Sequence, residues 1–185
     1  SSRRRHTRFL PVSWAREMCI RDRKGREQAA FNRGERKARK DLNDPTLGIS
    51  MIHALDFNSA WVVAYPRFAN SIGGIFKTSD GGQNWTKILY SNSSSGAADL
   101  IIDPSNPNKL IAALWEHKRD PWFFKSGGKG SGLYITIDGG KNWAKKTDID
   151  GLPKGDLGRI GLAISHNKPN IIYALIEAKK NALYK

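Results

Sequence analysis

The sequence predicts an all-β chain, and three observations predict it. From Ser50 onward, short runs of β-branched and aromatic residues are broken by Gly, Asn, Asp or Pro every eight to twelve residues, the rhythm of short strands joined by tight turns. Two segments recur at fixed register: GGIFKTSDGGQNW (Gly73 to Trp85) returns as SGLYITIDGGKNW (Ser131 to Trp143), 58 residues on, and LIIDPSNPNKLIAAL (Leu100 to Leu114) returns as LAISHNKPNIIYALI (Leu162 to Ile176). Hydrophobic residues make up 39% of the 185, enough for a buried core, yet no apolar run approaches the ~20 residues that span a bilayer.

Taken in order, each unit reads as strand, Asn/Pro turn, strand, variable loop, strand, Asp-Gly-Gly turn, strand. In the complete copy the strands fall near 98–103, 109–116, 131–137 and 143–147. A shortened copy, HALDFNSAWVVAY (His53 to Tyr65), opens the series, with DFNSAW where the later copies carry a longer Asn-Pro turn. The last copy closes on NALYK, whose Leu183-Tyr184-Lys185 aligns with Ile75-Phe76-Lys77, so its fourth strand is missing. Four short antiparallel strands returning every 50 to 60 residues are the pattern of β-propeller blades. The expectation is a partial β-propeller over residues 49–185, about two and a half blades at 50–90, 97–147 and 159–185, on this reading a truncated ring.

Charge divides the chain. The 31 Lys+Arg outnumber the 17 Asp+Glu, but residues 1–40 hold 14 of the bases and only 4 of the acids, leaving a net of +4 for residues 41–185. A basic arm for nucleic acid is one reading of the first segment, and a solvated, disordered tail is another. The third is more specific: Ser1 to Arg23, SSRRRHTRFLPVSWAREMCIRDR, resembles the conceptual translation of a sequencing adapter. Residues 1–24 are therefore read as an artefact or disordered leader, and 25–48 as a linker or short helix weakened by Gly25 and Gly34. What remains is too weakly basic to argue for nucleic acid. One cysteine, Cys19, excludes a disulfide scaffold.

The spacing Thr78-x-Asp80-x-Gly82-x-x-Trp85, repeated as Thr136-x-Asp138-x-Gly140-x-x-Trp143, has a mechanical meaning. Asp-Gly supplies the positive φ angles of a tight turn, the carboxylate and the Thr hydroxyl bond to backbone within that turn, and the Trp folds back to bury its ring. These motifs resemble Asp boxes, also called bacterial neuraminidase repeats. The stretches GAADLIIDPSNPNKLIAALWEHKRDPWFFKSGGKGSGLY and GLPKGDLGRIGLAIS further resemble bacterial proteins related to the sortilin N-terminal propeller and to xyloglucan-degrading glycosidases. The resemblance implies a propeller with structural Asp boxes on the blade periphery, an extracytoplasmic location, a polysaccharide or protein ligand, and further blades of the same ring as partners. It implies no cofactor.

Glycosidases need two carboxylates ~5.5 or ~6.5–9.5 Å apart. The acids outside the Asp boxes include Asp99, Asp103, Glu116, Asp120, Asp148, Asp150, Asp156 and Glu177. Glu116 and Glu177 end equivalent second strands, but no pair is nominated as acid and base. Sialidase chemistry needs converging guanidiniums, and Arg67, Arg119 and Arg159 stand one per unit at non-equivalent offsets. His6, His53, His117 and His166 lack metal-binding spacing. The segment recruited for recognition is the long loop His117 to Gly130, HKRDPWFFKSGGKG, with Lys118, Arg119, Trp122 and Phe123 as its candidate ligand contacts. The leading reading is a non-catalytic, sortilin-like binding or scaffold module; the alternative is a fragment of a glycoside hydrolase.

Overall fold

Strand order follows chain order. The computed structural model describes residues 47–67 and 72–185, so the expected leader at 1–24 lies outside the described residues, as does the linker or helix expected at 25–48 except for Leu47 and Gly48, which are strand. The first sheet is the antiparallel meander β1 (Leu47–Ala54), β2 (Ala60–Pro66), β3 (Gly74–Thr78) and β4 (Thr86–Leu89). The second orders β5 (Ser95–Asp103), β6 (Asn106–Asp120), β8 (Gly132–Thr136) and β9 (Ala144–Lys146), with β7 (Phe123–Ser126) paired to β6 alone. The third is β10 (Ile160–Ile164), β11 (Ile172–Ile176) and β12 (Ala182–Tyr184). Among the described residues the chain is all-β, apart from one 3-10 turn at Asp148–Asp150.

Registers correspond between sheets. Val62 pairs with Phe76, Ala112 with Tyr134 and Ala174 with Tyr184, equivalent pairs of the second and third strands. Because side chains alternate across a strand, this common register sets which residues face which neighbour. Leu110, Ala112, Leu114 and Tyr134 of the middle sheet meet Trp61, Val63, Ile75 and Leu89 of the first. On the opposite face, Ile111, Ala113 and Leu133 meet Ile160, Ala174 and Ile176 of the third. The middle sheet is thus covered on both sides, and Leu110 through Leu114 are all fully buried.

Polar ties cross the same interfaces. Lys77 Nζ donates to the Gly139 carbonyl at 3.1 Å. Lys109 Nζ bridges the Asp103 carboxylate and the Pro169 carbonyl, each at 3.1 Å, and the Leu162 N–H donates to Asp99 at 2.8 Å. Asp103 is a turn former, as its Asp-Pro context predicts. Its carboxyl is held at about 2, first by the Ser105 hydroxyl and then by the Ser105 N–H and Lys109. The short DFNSAW turn closes in the same manner, with Asp56 Oδ1 accepting the N–H groups of Asn58 and Ser59 at 2.7 and 2.6 Å.

One expectation is revised. His117 to Gly130, read as a single long loop, is largely hairpin: β6 continues past Glu116 to Asp120, and β7 pairs back from Phe123 to Ser126. The strand outruns β5 because β7 replaces it as a partner, with Pro121 and Trp122 forming the two-residue connection.

Leu110→Ala is expected to destabilise the chain by about 2–5 kcal/mol, because the packed first sheet and the strands beside β6 hold the cavity open. Ile149→Ala, at a residue 95% exposed, is expected to stay within about 0.5 kcal/mol. Urea unfolding of both variants reads the contrast directly.

Candidate functional site

The two Asp-Gly-Gly turns are built alike. In the first, the Thr78 hydroxyl donates to Asp80 Oδ1 at 2.7 Å and accepts the Gly82 N–H at 2.9 Å. Asp80 Oδ1 accepts the N–H groups of Gln83 and Asn84 at 2.9 Å, and Oδ2 accepts the Asn84 side-chain amide at 2.7 Å. Thr136, Asp138, Gly140, Lys141 and Asn142 reproduce this set. Gly82 and Gly140 sit at φ 83° and 93°, where a side chain is strained. A Cβ on Gly140 would also lie 2.6 Å from the Ile88 methyl of the first sheet. Trp143 donates its indole N–H to the Gly140 carbonyl at 3.1 Å, whereas the Trp85 indole nitrogen is buried without a partner.

These carboxylates are held far below the usual range. For Asp80 the leading cause is the Asn84 N–H, followed by the Thr78 hydroxyl; for Asp138 it is the Asn142 N–H, then Thr136. An acid so stabilised as its anion is a poor proton donor, so the turns hold the fold rather than perform chemistry.

At the opposite ends of the strands lies a second constellation. Trp115, His117 and Arg119 alternate along one face of β6, opposite Ser126 and Phe124 of β7. The His117 ring stacks on Trp115 at 4.1 Å, and Phe124 meets Trp115 edge-on at 6.0 Å. Arg119 lies over Phe124 at 5.0 Å, and Arg159, from the start of the third sheet, over Trp115 at 5.6 Å. Below these rings a polar chain crosses between sheets. The Trp115 indole N–H donates to Ser126 Oγ at 3.0 Å, Ser126 donates to Glu177 Oε2 at 2.6 Å, and the Arg159 N–H donates to the same oxygen at 2.8 Å. His117 has its pKa lowered, first by burial and then by Arg119 and Arg159, which leaves it neutral near pH 7.

Glu116 and Glu177 hold equivalent positions, but only Glu177 stands at a strand end, since β6 runs four residues past Glu116; both are anchors. Glu116 accepts the Asn92 amide and the Gly130 N–H, both at 2.9 Å, with Lys125 at 3.5 Å. These donors lower its pKa, the Asn92 amide most. The carboxylates therefore tie loops to strands. No family model, curated protein or solved structure matches this chain. What the residues do is decided by their own geometry.

The candidate contacts in the hairpin are exposed. Trp122 is 86% exposed at the tip and Phe123 54% beside it, while Lys118 pairs with Asp120 at 3.2 Å. Alongside β6 runs a cleft of about 410 Å³. Pro66 and Arg67 enter from the end of β2, Ser93 and Ser94 from the turn before β5, and His117 to Asp120 from β6 itself. Arg67 and Arg119 thus share a cleft, a convergence their sequence offsets do not suggest, while Arg159 stays on Trp115. The period-two alternation Trp115-x-His117-x-Arg119 was the available signal, legible once β6 is allowed to run through residue 120. Among the described residues, no group of three His, Cys, Asp or Glu is placed to hold a metal, and no helix is long and apolar enough to cross a membrane.

Two outcomes follow for the turns. Thr136→Val strips Asp138 and the Gly140 N–H of a buried partner and is expected to cost about 1–3 kcal/mol. The Asp80 and Asp138 pKa values lie below their unfolded values, so their stabilisation is complete above about pH 4 and fades as pH falls from there toward the native values. Melting temperature recorded from pH 7 to pH 2 should fall on the acid side. In the Asp80→Asn/Asp138→Asn double variant it should start lower and vary less with pH.

Proposed function

We propose that this chain is a non-catalytic binding module of the Asp-box β-propeller type, of the sortilin-like group, which presents the β6–β7 hairpin to a polysaccharide or protein ligand outside the cytoplasm. The observation that carries this reading is the pairing of an exposed Trp122 and Phe123 with a braced, inflexible base. Trp115, Ser126 and Glu177 lock the hairpin to the third sheet, so its aromatic tip is pre-organised, and pre-organisation lowers the entropic cost of binding. Large aromatic side chains are the usual energetic anchors of recognition surfaces.

The propeller assignment draws support from the stacking and from the turns. Each sheet shares its strand register with the next, faces its neighbour through equivalent positions, and closes on the same carboxylate-bonded turn where that turn is present. It also gives a partner to an apolar face. Tyr173, Leu175 and Leu183 stand 38%, 60% and 64% exposed on the third sheet, and their counterparts on the middle sheet, Ile111, Ala113 and Leu133, are covered by the third. A further blade of the same ring is the occupant this pattern fits.

The glycosidase alternative, whose catalytic carboxylates would lie mostly on further blades, draws no support from Glu116 and Glu177. Glu116 and Glu177 are both held as hydrogen-bond acceptors.

Affinity electrophoresis of the chain through gels containing soluble neutral and acidic polysaccharides tests the reading. Trp122→Ala/Phe123→Ala is expected to weaken retardation about tenfold or more with an unchanged melting temperature. Retardation that ignores both substitutions would remove the hairpin from the site. Release of reducing sugar from xyloglucan, or of sialic acid from sialosides, would replace the binding module with an enzyme.

A further inference from the structure

The cleft beside β6 is cationic, and that property reaches beyond the aromatic tip. Arg67, Lys118 and Arg119 line it, against a single acid, Asp120, which is already paired with Lys118. Neither Arg67 nor Arg119 forms an ion pair among the described residues; Arg119 is held instead by the Phe124 ring. Guanidinium groups left without a carboxylate, in a recess of ligand size, have their bidentate donor sets available for an oxyanion. The remaining walls are mixed, the His117 ring among them. Ser93 and Ser94 bring hydroxyls, and Pro66 is the one aliphatic residue in the lining. A polyhydroxylated ligand meets hydroxyls and cations in the cleft and an exposed indole, Trp122, two residues beyond Asp120 at the hairpin tip.

We propose that this cleft is a subsite for the carboxylate groups of an acidic polysaccharide, a chain of uronic acid residues whose sugar rings run on toward Trp122. The inference rests on the binding-module reading above and names its ligand class.

Isothermal titration calorimetry of the full chain with trigalacturonate tests it, alongside the trimethyl ester of the same trisaccharide and triglutamate. The acid is expected to bind, and to bind at least about tenfold more tightly than its ester. The affinity should fall as salt rises, because the groups are near solvent. Arg67→Ala/Arg119→Ala should cost at least about tenfold in affinity for the acid and leave the ester unaffected. Both chains keep the basic segment at residues 1–40, so the difference reports the cleft. Thermal melts confirm that the variant remains folded. Equal binding of acid and ester, affinity unchanged in the double variant, no heat with trigalacturonate, or preference for triglutamate would each overturn the proposal. Neutral binding that Trp122→Ala abolishes and Arg67→Ala/Arg119→Ala spares would sink the anionic subsite alone and leave the binding module standing.

Discussion

The structure depends on one strand being buried on both faces. In β6, Leu110, Ile111, Ala112, Ala113 and Leu114 point alternately to the first and third sheets, and all five are excluded from solvent. Burial on both faces requires a continuous apolar run rather than an alternating one, and it requires small residues where two sheets approach. Ala112 and Ala113 meet that need while the flanking Leu and Ile fill the remaining volume, in line with the near-crystalline density of protein interiors. Since the register of β6 with β5 and β8 fixes which residue faces which sheet, a slip of one position would exchange the two cores. The turns at the strand ends hold that register.

The acids of the described segment divide accordingly. Asp56, Asp80, Asp103 and Asp138 each accept bonds from their own turns, Asp99 reaches across to the Leu162 N–H, and Glu116 and Glu177 clamp loops at the other end. Carboxylates used as acceptors in this way stabilise geometry as anions. Catalysis by a carboxylic acid needs the reverse, a site that favours the protonated form. The same bonds that make the sheets coherent commit these groups as acceptors, which leaves the arginine, lysine and aromatic side chains of the hairpin for the binding role proposed above.

Much of this was legible in the sequence. The backbone bonds of the two Thr-x-Asp-x-Gly-x-x-Trp turns could be read, because every partner lies within six residues and the Gly positions announce positive φ; the side-chain bonds to Asp from Thr and Asn could not. The order of strands was legible for the same local reason. The β6–β7 hairpin was not: HKRDPWFFKSGG carries Pro and Gly punctuation and no apolar alternation, so it reads as loop. Its strand character comes from tertiary support, the stacking of Trp115, His117 and Phe124 and the bond from Ser126 to Glu177, 51 residues away. The approach of Arg67 and Arg119 was hidden likewise, since it is set by how the first and second sheets stack and not by either segment alone.

That dependence on stacking bears on how a recognition surface arises in such a chain. A two-stranded hairpin extending beyond its sheet is marginal by itself, and exposed aromatics at its tip would favour collapse onto the nearest apolar surface. Here the base of the hairpin is held from the side by the neighbouring sheet. Arg159 covers the Trp115 ring from above, and its backbone N–H and the Ser126 hydroxyl share one carboxylate oxygen of Glu177. The base of the hairpin is tied to the third sheet through Glu177 and Arg159, so its geometry is a property of two adjacent sheets. Variation at Trp122 and Phe123 would leave the core undisturbed, because the contacts that hold the hairpin run through Ser126, Lys125 and Phe124 and stop short of the exposed tip.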